Sequence, residues 1–173
     1  MFNGKMKALT FSYDDGVEQD IRLVDIFRRY HMKATFNINS GQFGPEDRSN
    51  PTGRTHRKLS QSEVKALYTP DVCEVASHCV SHAYLTACDT AAACMEVIDD
   101  RRTLETLFGC QVHGFAYPNG VFNDDVVSLL KSAGIYYART CVSTLKFDMP
   151  QDWLRMPAAK ILSLWSWQTG FWS

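Results

Sequence analysis

Hydrophobic and polar positions along the 173 residues switch between two periods. Short runs rich in β-branched and aromatic side chains at 7–13, 33–38, 72–76, 111–117 and 135–139 predict strands. Between them apolar residues recur at helical spacing. Ile21, Leu23, Val24, Ile26 and Phe27 predict a helix over 18–30. Ser60-Gln61-Ser62-Glu63 is a capping box that opens a short helix reaching Tyr68. Asp89 or Thr90 caps a long helix to Phe108, and Gly109 stops it. Another helix is expected over 124–132 with Gly134 as its C-cap, and residues 154–164 supply a further strand. Strands alternating with helices predict an α/β fold, a parallel sheet with helices outside it. No repeat, low-complexity tract or linker divides the chain, so one domain is expected over 1–173.

Composition narrows the function classes. Hydrophobic residues make up 45% and charged residues 21%, as in ordinary globular proteins. A net charge of −1 supplies no bulk field for nucleic acid or an anionic membrane. No apolar run approaches the roughly 20 residues that cross a bilayer. The first residues lead straight into a strand without a charged, apolar and cleavage-site series, which predicts a cytoplasmic protein. The six cysteines (Cys73, Cys79, Cys88, Cys94, Cys110, Cys141) form no CxxC pair. They read as small core residues in a reducing compartment, though an even count leaves bridging open.

In parallel α/β folds chemistry gathers where strands end. Three predicted strand ends carry reactive or turn-forming residues. The first run ends in Asp14-Asp15-Gly16. The third is followed by His78 and His82, four residues apart, which a helical turn would set on one face. The fourth is followed by Pro118-Asn119-Gly120, a turn. One carboxylate plus two imidazoles makes a mononuclear metal site with open positions, and the remaining carboxylate is available as a general base. Each piece alone also has a structural explanation: Asp-Asp-Gly is a common turn, and two loop histidines can simply be hydrogen-bonded. Their coincidence at neighbouring strand ends favours metal chemistry. Zinc suits this donor set best, and cobalt, nickel or iron would fit the same ligands. A long polar loop over 39–58 suggests a functional segment, in which Arg54, Arg57 and Lys58 read as a solvated basic run.

The motifs resemble those of the polysaccharide deacetylases, the NodB-homology group or carbohydrate esterase family four. Thr10-Phe11-Ser12-Tyr13-Asp14-Asp15-Gly16 is similar to the family's first motif, and Ala34-Thr35-Phe36 to its second strand. Ser77-His78-Cys79-Val80-Ser81-His82 is similar to its H-(S/T)-x-x-H motif, and Phe115-Ala116-Tyr117-Pro118-Asn119-Gly120 to its third motif. The order and spacing agree from about Leu9 to about Asn119. The resemblance implies a distorted, incomplete (β/α) barrel and metal-dependent removal of acetyl from an N-acetylated saccharide. By position it makes Asp14 the catalytic base and Asp15, His78 and His82 the metal ligands. It puts the Asn119 backbone N–H at the oxyanion and Tyr117 and Pro118 at the substrate.

Two departures qualify the resemblance. Many members carry an arginine in the third motif that orients the base, and here that position is Ala116. Arg139, at the end of the fifth predicted strand, is the candidate to reach the same space. The family's general acid is a histidine in a late Leu-x-His motif, yet no histidine follows Asn119. The chain is then truncated, lacks that acid, or replaces it with another group. Residues 147–153 are only loosely similar to the family's D-x-x-D-W. His31, His56 and His113 read as structural or exposed, and Trp165, Trp167 and Trp172 as core residues or sugar-stacking rings. Two readings compete with a saccharide deacetylase: a hydrolase of the same fold acting on a small amide or cyclic ureide, and a degenerate member that binds metal or glycan without turnover.

Overall fold

A computed structural model describes residues 8–45, 57–146 and 148–159. The expectations for Arg54, His56, Phe147, the strand beyond residue 159 and the three late tryptophans lie outside the described residues.

Among the described residues six strands form one sheet in the sequential order β1 to β6: β1 (Ser12–Asp14), β2 (Ala34–Ile38), β3 (Cys73–Ser77), β4 (Gly114–Ala116), β5 (Tyr137–Ser143) and β6 (Met156–Ala158). Every neighbouring pair is parallel. The sheet curls into a half-barrel with helices, a distorted and incomplete (β/α) barrel. Parallel neighbours require crossovers, and α1 (Gln19–Arg29), α2 (Gln61–Leu67), α3 (Thr90–Phe108) and α4 (Asp124–Ser132) lie in four of them. All strand C-termini therefore open on one rim.

The helix ends follow their sequence signals. The Ser60 hydroxyl accepts from the Glu63 N–H while the Glu63 carboxylate accepts from the Ser60 N–H. Asp89 caps α3, and Gly109 ends it at φ +67. Several expected bounds shift: the first strand is confined to Ser12–Asp14 and the fourth to Gly114–Ala116. Ala133, rather than Gly134, is the C-cap of α4, with Gly134 following at φ +75. The fifth strand starts later than residue 135 and runs on to Ser143.

Two apolar clusters fill the fold. Val24, Phe27, Phe36, Leu59, Val64, Tyr68 and Val75 pack beneath β1–β3. Val97, Phe115, Tyr117, Val126, Leu130 and Ala138 pack beneath β4 and β5. The long helix α3 contributes Leu104 to the first cluster and Val97 to the second, and so ties them together. Of the six cysteines only Cys73 and Cys79 are buried, while Cys110 and Cys141 are exposed, so core packing accounts for two of them. No helix among the described residues is long and apolar enough to cross a membrane.

Candidate active site

The exits of β1 and β3 converge. Ligand atoms of Asp15, His78 and His82 all lie within 4.8 Å of one another. The His78 and His82 ring centroids stand 4.7 Å apart, nearly edge to face. The spacing does not work through a helical turn, as the sequence suggested. Cys79 and His82 take left-handed backbone angles, φ +66 and +61, which fold the segment back on itself. His78 is buried, and its Nδ1 pairs with the Ala116 carbonyl at 2.7 Å. That contact leaves Nε2 to face the cluster. Burial, the largest influence on this ring, holds its pKa below the ordinary histidine range and keeps the imidazole neutral, the form that ligates metals.

Asp14 and Asp15 leave one strand end for different surroundings. Asp14 is the register partner of Asn37 on β2, and the Asn37 amide donates to its Oδ1 at 2.8 Å. Arg139 Nη2 spans both Asp14 oxygens, with the Oδ2 contact at 2.6 Å, and Arg139 Nε donates to Ser12 Oγ at 3.0 Å. Burial pushes the Asp14 carboxyl up, but the His78 ring, the Arg139 guanidinium and the Asn37 amide outweigh it and hold it below the usual carboxylate range. Asp15 turns away at φ +80, and its N–H donates to the Asn37 carbonyl at 2.9 Å.

Lys58 is not part of a solvated run. Its ammonium donates to the Asp15 carbonyl at 2.7 Å and to Asp15 Oδ1 at 3.0 Å. The cause is main-chain lacing. Leu59 N–H donates to the Gly16 carbonyl at 2.9 Å and Glu18 N–H to the Arg57 carbonyl at 2.8 Å, which draws 57–59 against the segment after β1. Each carboxylate of the pair thus has its own cation, Arg139 for Asp14 and Lys58 for Asp15. Nothing in the local sequence around Lys58 signals this, because the partner lies on another strand exit.

The remaining candidates divide. Asn119 is exposed at the tip of the turn after β4, at φ +55. Tyr117 and Pro118, assigned to the substrate by resemblance, are buried. The Tyr117 hydroxyl donates to the Leu154 carbonyl at 2.7 Å, and its ring stacks on Phe122. Asp152, in the loosely similar late motif, caps the turn before β6 and pairs with Arg155. His113 stacks on Tyr136 at the entry to β4, the opposite end of the strand from its exit, and His31 is exposed.

The sequence reading missed two buried polar residues. Asn37 is polar inside an apolar strand, which is itself a signal. Asp100 falls on the buried stripe Ala93, Val97, Asp100, Leu104 of α3. Its Oδ1 accepts from the Ser40 N–H at 2.7 Å, and its Oδ2 from the Ser77 hydroxyl at 2.5 Å and the His78 N–H at 3.1 Å.

Comparison with known proteins bears on the fold and the family. Among curated proteins none matches the chain. Solved structures share its fold at low identity. The Streptococcus pyogenes deacetylase PplD, in complex with acetate, is 18% identical with a TM-score of 0.72 over 92% of this chain and 66% of its own. IcaB from Ammonifex degensii is 18% identical with a TM-score of 0.71 over 91% of this chain and 68% of its own. BC0361, a polysaccharide deacetylase from Bacillus cereus, is 22% identical with a TM-score of 0.69 over 85% of this chain and 45% of its own. The chain thus spans between 45% and 68% of the length of these proteins. The polysaccharide deacetylase family model matches residues 2–138, covering the Asp14-Asp15 pair, both histidines and the turn at Asn119. The chain therefore belongs to the polysaccharide deacetylase family.

Proposed function

We propose that this protein is a metal-dependent hydrolase that removes acetyl groups from an N-acetylated saccharide. One observation carries the reading: three metal-ligating atoms from two strand exits lie within 4.8 Å of one another, beside a second carboxylate kept ionised by Arg139. Two nitrogens and one oxygen suit a divalent ion of zinc type and leave positions for water and substrate. The neutral imidazole of His78, with its Nδ1 engaged by Ala116, fits ligation through Nε2. When bound, such an ion polarises an amide carbonyl and acidifies water.

The chain's own residues supply the rest. Asp15, His78 and His82 hold the ion. Asp14, ionised and oriented by Arg139 and Asn37, takes a proton from the attacking water. The new C–O bond gives a tetrahedral centre whose oxygen would accept from the Asn119 N–H. The C–N bond then breaks as the nitrogen takes up the proton that left the water, giving acetic acid, which ionises to acetate, and a free sugar amine.

The test is acetate release from N-acetylglucosamine oligomers by zinc-loaded protein, with small acetamides assayed in parallel. Asp14→Asn is expected to keep the metal and lose turnover. Undiminished turnover would remove Asp14 from the role of base, and cleavage of acetamides alone would exclude the saccharide.

A further inference from the structure

The turn that carries the two histidines is held from two sides. Along one side its carbonyls are bound by the segment leaving β2. Asn39 Nδ2 donates to the carbonyls of His78 and Cys79, Gly41 N–H to Val80 at 2.9 Å, and Gln42 Nε2 to Ser81 at 2.7 Å. Along the other side its N–H groups are bound by α3. His78 donates to Asp100, sharing its N–H with the Ile38 carbonyl of β2 at 3.1 Å, Val80 donates to the Glu96 carbonyl, and Ser81 to the Glu96 carboxylate. Glu96 and Asp100 are one helical turn apart and so face the same way.

Such bracing has a physical reason. Cys79 and His82 hold left-handed backbone angles that cost non-glycine residues energy. A strained turn keeps its shape only where its surroundings over-determine it. Asp100 reaches both strand exits from α3, through Ser40 after β2 and through Ser77 and His78 at the end of β3. It is fully buried, with no cation among its hydrogen-bond partners, and the proposed reaction does not use it.

We propose that Asp100 is the positioning residue of the metal site: it holds the His78 backbone so that both imidazoles converge with Asp15. The proposal rests on the metal reading of those three residues. It makes a contrast between two substitutions of nearly identical shape. At position 96 an amide satisfies both partners, because the Ser81 N–H can donate to the amide oxygen and the Ser81 hydroxyl can accept from the amide nitrogen. At position 100 it cannot. With its oxygen toward Ser40 an amide presents N–H to the His78 N–H, and turned over it presents N–H to the Ser40 N–H.

Zinc affinity, by competition with a chromophoric chelator, and the visible spectrum of the cobalt form test this in wild type, Asp100→Asn and Glu96→Gln. The unfolding midpoint of each metal-free protein is measured alongside. Asp100→Asn is expected to bind zinc about tenfold more weakly or worse and to alter the cobalt spectrum, with Glu96→Gln within about twofold of wild type. A role confined to stability would lower the midpoint and leave affinity and spectrum unchanged, and that result overturns the proposal. If Asp100→Asn does not fold, Ser77→Ala replaces it: a few-fold loss of zinc affinity supports the proposal, and unchanged affinity overturns it. Wild type that takes up neither metal removes the metal reading itself. Wild type that binds while Asp100→Asn binds equally removes only the role of Asp100.

Discussion

Arg139 and Asp14 stand 125 residues apart in the chain, and the guanidinium of one spans both carboxylate oxygens of the other. The register explains how. Arg139 on β5 is the direct partner of Ala116 on β4, the position where the resemblance implied an arginine. The cation comes from the strand next to Ala116 and reaches the Asp14 carboxylate. Sequence could show an alanine where an arginine was expected and an arginine further on, but only strand pairing joins them.

Arg139→Met follows from that relationship. Asp14 would lose its oriented ion pair and keep only the Asn37 amide. Turnover is expected to fall about 10²-fold, the scale of general-base assistance, while zinc affinity stays within a few-fold of wild type. Arg139→Lys should recover little of the loss, because an ammonium cannot reproduce a planar fork that also reaches Ser12. Steady-state kinetics beside metal titration measures both quantities, and wild-type turnover in Arg139→Met would exclude the orienting role.

Gly41 tests the other support of the histidine turn. A Cβ there would lie 2.6 Å from Val80 Cγ1 and 2.8 Å from the Val80 carbonyl oxygen. That carbonyl cannot swing away without losing the Gly41 N–H. Gly41→Ala is expected to destabilise the fold by about 1–3 kcal/mol and to weaken zinc binding, since Val80 sits between the two histidines. Gly109→Ala is the control: nothing lies within 4 Å of its Cβ, and only its φ of +67 opposes the change. It should cost about 1 kcal/mol and leave the metal untouched. Denaturation curves and zinc titration of both variants separate the two mechanisms.

Asp20 carries the pH prediction. It is buried at the start of α1, where the Tyr68 hydroxyl donates to it at 2.6 Å. Burial raises its carboxyl to about 6, against an ordinary value of 3.8. Between those values the folded protein keeps a proton that the unfolded chain has lost. The Asp20 contribution to stability is therefore full below pH 3.8 and declines as pH rises to about 6, by at most about 3 kcal/mol. Asp20→Asn should become progressively more stable relative to wild type across that window and hold a constant advantage above it. Urea unfolding of both proteins in chelator from pH 4 to 8 checks this, and a pH-independent difference would refute it.

Much of the fold was legible because its signals are local. The capping box at Ser60, the Asp89 cap and the Gly109 stop each define a helix end within a few residues. The cluster of Asp15, His78 and His82 was legible because carboxylates and imidazoles at strand exits have a short list of shared uses. What stayed hidden depends on contacts across the sheet. Lys58 read as a solvent charge, although main-chain bonds to Gly16 draw its segment onto Asp15. Asp100 sits next to Asp99 and looks like surface acid until the spacing of Ala93, Val97 and Leu104 shows that it shares their buried stripe. Tyr117 was assigned to the substrate by resemblance alone, and its packing on Phe122 and its bond to the Leu154 carbonyl depend on contacts the motif does not show.

The metal content of the purified protein tests the central claim most directly. Elemental analysis after loading with zinc and desalting should find one equivalent in wild type and in Asp14→Asn. It should find essentially none in His78→Ala, His82→Ala or Asp15→Ala, provided each retains its helical circular dichroism. Equal zinc in wild type and in the folded histidine variants would contradict the account, since the ion would then be held somewhere other than between Asp15 and the two imidazoles.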